Sequence, residues 1–264
     1  MRIVRTIAEL RAALAGVGDV GLVPTMGAFH EGHLSLMRAA RAENETVVVS
    51  LFVNPAQFGE GADLAGYPRE EEHDARVAEE EGVDFLFAPA SEEIYPPEFS
   101  TWVEVEGLSN VLEGEYRPGH FRGVATVCLK LFNTVGPRRA YFGQKDAQQA
   151  ALIAQLVRDL NVPLELRVLP TVRDADGLAL SSRNAGLSPE ERERALAIPR
   201  ALEAGAAAHR AGGDAVAATR AVLNGIAPDY VEVVRLGGRL VLATAARVGS
   251  TRLIDNVVLE GASE

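Results

Sequence analysis

Two histidines three residues apart, His30 and His33, lie in the run Pro24-Thr25-Met26-Gly27-Ala28-Phe29-His30-Glu31-Gly32-His33. A helical start places both imidazoles on one face. Gly32, between them, has no side chain, so a flat ring can lie against the backbone there. The run follows Val20-Gly21-Leu22-Val23-Pro24, which reads as a short buried strand. In open α/β sheets ligands bind beyond the carboxyl ends of strands, and a helix N-terminus favours an anion. Two imidazoles at such a place suit a phosphate that gains charge in a transition state.

A second signal is compositional. Of 26 basic residues only two are lysine, Lys130 and Lys145. Arg and Lys differ in shape and hydration, so a lysine kept against that bias is a candidate for a compact ammonium. Other patterns fail. Gly16-Val17-Gly18-Asp19-Val20-Gly21 fits G-x-G-x-x-G but precedes its strand, where the dinucleotide fingerprint must follow one. His30-Glu31-Gly32-His33 is one residue short of the zinc-protease spacing. There is no phosphate-binding G-x-x-x-x-G-K-[ST] loop and no G-x-S-x-G elbow.

The elements that must position these groups alternate. Strands are expected at Val20–Pro24, Thr46–Val53, Val83–Phe87, Ala140–Phe142 and Leu164–Leu169. Helices are expected over 32–42, 69–82, 121–134 and 146–160. Alternation of this kind argues a Rossmann-like, doubly wound parallel sheet over residues 1–171. The polar stretch 171–177 reads as a hinge, with a smaller C-terminal α+β domain over 172–264 closing over the site. There, Ser188-Pro189-Glu190-Glu191 forms a capping box opening a long helix. The alternation Thr101 to Glu106 reads as an edge strand.

With 264 residues the chain can bury a real core. Its net charge of −11 disfavours a nucleic-acid footprint. The single cysteine, Cys128, sits in an apolar run and reads as packing. No apolar stretch approaches ~20 residues, so no membrane span is expected. The start lacks a signal-peptide apolar block, and a cytoplasmic enzyme is expected.

The motif H-x-G-H after the first strand resembles the nucleotidyltransferase superfamily. Further strings resemble one of its families, the pantoate–β-alanine ligases. They are Pro24-Thr25-Met26-Gly27, Phe52-Val53-Asn54-Pro55-Ala56-Gln57-Phe58, Tyr67-Pro68-Arg69, Arg117-Pro118-Gly119-His120-Phe121-Arg122-Gly123-Val124, Phe142-Gly143-Gln144-Lys145-Asp146 and Ser181-Ser182-Arg183-Asn184. The resemblance implies ATP-dependent ligation of pantoate to β-alanine through a pantoyl adenylate, releasing pyrophosphate and AMP, with Mg2+ accompanying ATP. It also implies a homodimer.

By the same resemblance, His30, His33, Lys145, Ser181, Ser182 and Arg183 carry catalysis and hold phosphates. Pro24, Thr25, Met26, Gly32, Gly143, Asp146 and Val172 complete an ATP site. Met26, Asn54, Gln57 and Gln149 would bind pantoate, and Glu113 and Arg117 would belong to a flexible cover. Asp74 is a candidate on the magnesium side, or simply one acid of a solvated acidic helix. His120 and Arg122 have no assigned role. The chain departs from the family pattern at Gln144, where Glu is usual, at Ala147 and at Leu180. The alternative is another adenylyltransferase of the superfamily, acting on a different small acid or phosphate.

Overall fold

The computed structural model describes residues 1–59, 64, 66–223 and 225–259. The chain forms two units. The first comprises Met1–Gly143 and Gln148–Leu169; the second comprises Gln144–Ala147 and the chain from Pro170 onward. The boundary thus falls just before the expected 171/172, and the turn carrying Lys145 groups with the second unit.

The first unit runs β1 (Arg2–Val4), α1 (Ile7–Leu14), β2 (Val20–Thr25), α2 (Glu31–Glu43), β3 (Thr46–Leu51), α3 (Glu71–Glu80), β4 (Phe85–Phe87), α4 (His120–Val135), β5 (Arg139–Gly143), α5 (Ala147–Asp159) and β6 (Glu165–Leu169). Short helical turns lie between these elements. The strands pair in the order β1-β4-β3-β2-β5-β6, all parallel. This is the doubly wound, Rossmann-like sheet that the alternation implies.

Side chains alternate across a strand, so one run of apolar residues feeds two cores. Leu22, Val48, Phe87 and Phe142 join one core with Leu10, Val124, Leu131 and Leu152 from helices. Val23, Val47, Val49, Leu86 and Tyr141 join the other with Leu36, Met37, Ala40 and Ala78. Cys128 is buried in the first core, and desolvation pushes its thiol up to about 12, so it packs and does not react.

β2 is the strand from which the order runs both ways, to β3 on one side and β5 on the other. Ligands gather at the carboxyl ends around such a switch point. The chain leaves β2 into residues 26–30 and leaves β5 into 144–146.

Two features of this unit escape the pattern. β1 and α1 are not among the expected elements; α1 opens with a capping box between Thr6 and Glu9. Residues 101–106 form no strand. Val103 N–H instead donates to the Thr126 hydroxyl at 3.0 Å.

In the second unit β7 (Pro228–Leu236), β8 (Arg239–Val248) and β9 (Thr251–Leu259) form an antiparallel sheet. It packs with helices α6 (Pro189–Ala195), α7 (Ala197–Arg210) and α8 (Ala215–Val222) around Leu202, Ala206, Val231, Leu242 and Val248. The capping box at Ser188 is present. The long helix expected after it is split at Leu196. Pro199 cannot donate to the carbonyl of Ala195 and its ring clashes with it, so α6 ends there and α7 restarts. Among the described residues no helix is long and apolar enough to cross a membrane.

Candidate active site

In the first unit the site is built on the loop between β2 and α2. Gly27 and Ala28 both adopt positive φ, 89° and 53°. This tight turn points the successive N–H groups of Ala28 and Phe29 at one carboxylate. The anion here is the protein's own Asp74, which accepts from Ala28 N–H and Phe29 N–H at 2.8 Å each. Gly27 must lack a side chain, since a Cβ would lie 2.8 Å from Asp74 Oδ2 and 2.6 Å from Leu51.

Asp74 on α3 is fully buried. Desolvation pushes its carboxyl up from the ordinary value, more than the two amide bonds pull it down. This corrects the reading of Asp74 as a solvated acid: both its oxygens hold the loop that delivers the histidines. Replacing Asp74 with alanine leaves two buried N–H groups unpaired, which costs about 1–3 kcal/mol each. A fall in unfolding midpoint together with activity is the expected outcome. The pH sign is also set. A folded-state pKa above the unfolded one means proton uptake on folding, so this group's contribution to stability grows as pH falls. Relative to Asp74→Asn, the wild type should gain stability on acidification, measured by denaturant unfolding across pH.

His30 caps α2, accepting from Gly32 N–H at Nδ1 (3.1 Å). His33 accepts from His30 N–H at its own Nδ1 (3.3 Å). The two rings therefore form a capping box made of imidazoles, with centroids 4.1 Å apart. Because both Nδ1 atoms accept, each neutral ring carries its proton on Nε2. The Gly32 amide is engaged by the His30 ring. Thr25 is likewise engaged, its hydroxyl donating to the Ser50 carbonyl.

Beyond β3, Asn54 caps a one-turn 3-10 helix, Pro55–Gln57. Its Nδ2 donates to Gln57 Oε1 at 3.0 Å and to the Gly123 carbonyl at 3.2 Å. Both side chains are buried. His120 acquires a role here. Its Nδ1 donates to the Gln57 carbonyl at 2.8 Å, and Arg117 adds a longer bond to the same oxygen. Arg117 is thus built into the wall beside Gln57. Glu113 is buried, and its N–H donates to Gln148 Oε1. Gln148 also donates to the carbonyls of Leu108 and Val111, anchoring the segment expected to act as a cover. Gln149, its neighbour, is half-buried. Arg122 stacks on Trp102 at 4.7 Å, and Lys130 lies 4.8 Å over Phe99, so that lysine serves a cation–π contact. A cavity of about 290 Å3 opens beside the loop, lined by Met26, Phe52, Val53, Arg69 and Asp74 among others.

In the second unit, Lys145 sits in the 3-10 turn Gln144–Asp146, its Nζ 3.5 Å from Asp146 Oδ1. The turn is pinned by Asn256 of β9, whose Nδ2 donates to the carbonyls of Gln144 and Lys145 at 3.0 and 2.8 Å. Gln144 Nε2 donates in return to Asn256 Oδ1 at 3.1 Å. A glutamate could not donate there, so this departure from the family pattern has a local partner. The adjacent Asp255 takes a bidentate bond from Arg173 at 2.7 and 2.9 Å. Arg173 belongs to the bridge with Ala179 that leads to the serines. Val172 accepts from Leu180 N–H through its carbonyl. Ser181 caps the 3-10 turn Ser182–Gly186 by accepting from Arg183 N–H. Neighbouring residues on β9 thus hold both pieces. Asn256→Ala should lower turnover roughly tenfold or more, since two part-buried carbonyls and the Gln144 amide lose their partner, with a smaller change in unfolding midpoint.

Sequence reasoning missed Asn256, Asp255, Gln148 and Tyr95, all of which act on residues distant along the chain.

A doubly wound parallel sheet with paired imidazoles beyond its second strand defines an α/β protein with a site at the carboxyl ends of its strands. The sequence matches the pantoate-beta-alanine ligase family over residues 2–258, and the chain belongs to that family. It is 52% identical to the pantothenate synthetase of Moorella thermoacetica, over 98% of this chain and 99% of that one. The crystal structure of pantothenate synthetase from Thermus thermophilus covers 99% of this chain and 100% of its own, at 48% identity and a TM-score of 0.95. The pantoate-beta-alanine ligase of Francisella tularensis, solved with beta-gamma ATP and beta-alanine, aligns over the whole of both chains at 35% identity and a TM-score of 0.86. The chain is an enzyme of this ligase family.

Proposed function

We propose that the chain makes pantothenate in two steps on one nucleotide. A pantoate carboxylate oxygen attacks the α-phosphorus of ATP; the bond to the pyrophosphate oxygen breaks, giving pantoyl adenylate and pyrophosphate. The neutral amine of β-alanine then attacks the acyl carbon; AMP leaves with the carboxylate oxygen's bonding pair, and the amine releases a proton.

The observation that carries this reading is the histidine box. Two Nδ1 acceptors fix two Nε2–H donors of one tautomer at the carboxyl end of β2. Two anions at ~4 Å repel by about 4 kcal/mol at an effective dielectric of ~20, so their approach needs countercharge. Lys145 supplies the charge, and the Nε2–H groups of His30 and His33 add hydrogen-bond donors. Ser181, Ser182 and Arg183 hold the outer phosphates, with Gly143, Asp146 and Val172 toward the nucleoside. Met26, Asn54, Gln57 and Gln149 form the pantoate side.

Magnesium would enter with the nucleotide. Among the described residues no group of three His, Cys, Asp or Glu side chains could cage it. Its chemistry there would be charge neutralisation on the phosphates.

Pyrophosphate exchange tests the reading. Labelled pyrophosphate should enter ATP only when pantoate is present, and β-alanine should then draw out pantothenate. Exchange driven by another acid would reassign the substrate to the wider superfamily. A solution mass twice 28.1 kDa would support the dimer carried by the same proposal.

A further inference from the structure

The short turn Glu113–Tyr116 leads into Arg117 and opens on Leu112, a buried residue with φ 47° and ψ −121°. A leucine at positive φ is strained and persists only where its surroundings hold it. Leucine also has no side-chain oxygen with which to cap the turn, and the turn has no side-chain cap of its own. The hold comes from the first turn of α5. Gln148, buried there, accepts from Glu113 N–H, the first amide of the turn, at 3.1 Å. Its Nε2 donates to the carbonyls of Val111 and Leu108 at 2.7 and 2.8 Å. One side chain thus takes backbone groups on both sides of the strained residue. Two of its partners accept and one donates, so a single orientation of the amide satisfies all three. The segment is also tightly fitted: a Cβ on Gly114 would lie 1.9 Å from the Ser109 carbonyl oxygen.

We propose that Gln148 is a positioning residue: it caps the Glu113–Tyr116 turn from α5, keeps Leu112 in its strained conformation, and so sets Arg117 and His120 against the Gln57 turn. This rests on the reading of Gln57 as a pantoate-side residue. The connection is continuous along the backbone. The Leu112 carbonyl accepts from Glu115 N–H at 3.0 Å, the Glu113 carbonyl from Arg117 N–H at 2.8 Å, and the Arg117 carbonyl from His120 N–H at 3.0 Å. The side chains of Arg117 and His120 then share the Gln57 carbonyl. Gln149, the other pantoate-side amide, directly follows Gln148 on α5. The clasp therefore ties the two halves of the hydroxy-acid side to each other, and a relaxed Leu112 would move one of them.

Gln148→Met keeps the length and bulk of the side chain and removes all three bonds. The expected result is a rise in KM for pantoate of about tenfold, the weight of one hydrogen bond, with KM for ATP unchanged. Amide hydrogen exchange from Glu113 through Arg117 should quicken at least tenfold, while α4 and the rest of α5 keep their protection. Gly114→Ala provides a second variant. It displaces the same segment without touching Gln148, since the Ser109 carbonyl is backbone and no rotamer change relieves the contact, and it should reproduce the split between the two KM values. Faster exchange with an unchanged pantoate KM would overturn the proposal, since the segment would then loosen without consequence for the site. So would unchanged exchange in Gln148→Met, or equal losses for all three substrates with a lowered unfolding midpoint, which marks a folding defect. Failure of the functional reading would show separately, as wild-type enzyme lacking pantoate-dependent pyrophosphate exchange.

Discussion

Lys145→Ala lowers the rate of adenylate formation by two to three orders of magnitude, a loss of about 3–4 kcal/mol of transition-state stabilisation. The expectation follows from what the turn does with this residue. Its backbone carbonyl is held by Asn256, and its side chain is mostly covered, with the Asp146 carboxylate 3.5 Å from the ammonium. Truncation therefore removes the charge and leaves the anchor of the turn in place. The effect should appear in single-turnover chemistry and far less in ATP affinity, because a charge aimed at the transition state adds little to ground-state binding. A near-normal single-turnover rate would remove Lys145 from the mechanism. Lys145→Arg is a sharper comparison in a chain that otherwise uses arginine. It preserves charge but replaces a compact ammonium with a planar fork, and it should recover only part of the loss.

Lys145 was legible in the sequence because its type runs against the composition, and His30 and His33 because their spacing and the strand before them are local. The buried strands were legible for the same reason: the uninterrupted apolar runs at 20–24 and 46–53 need no distant partner to show. What stayed hidden is contact between separated segments. Asp74 lies in an acidic stretch that reads as solvated, yet the left-handed loop at Gly27 and Ala28 draws it into the core. Tyr95 reads as an ordinary aromatic until its hydroxyl meets Asn54. β1 has three residues, too few for any periodicity to show. His120 and Arg117 were visible as motif but not as structure; their shared target is a backbone carbonyl, which leaves no mark on composition. In each case the chemistry lies in local strings and its alignment is set by single hydrogen bonds across the fold.

Gly123→Ala tests that alignment without touching a polar side chain. Gly123 is buried in α4, where alanine is ordinarily preferred to glycine by about 1 kcal/mol. Here a Cβ would lie 2.6 Å from Gln57 N and closer still to the Ala56 carbonyl oxygen. Both atoms are backbone in a 3-10 turn, so no rotamer change relieves the clash; the turn or the helix must move. Overpacking of this kind costs about 1–3 kcal/mol, which offsets or exceeds the propensity gain. The stability change is thus modest, a few degrees in unfolding midpoint for a chain of this size. Activity should suffer more. The displaced turn carries Gln57, and the Gly123 carbonyl is one of the acceptors that hold Asn54. A shift near 1 Å at a substrate-positioning group costs about a hundredfold in rate. The expected signature is therefore a fall in kcat/KM for pantoate far larger than the midpoint predicts. If activity is retained while the midpoint drops, the turn has room to adjust, and the close approach of helix and turn serves packing alone.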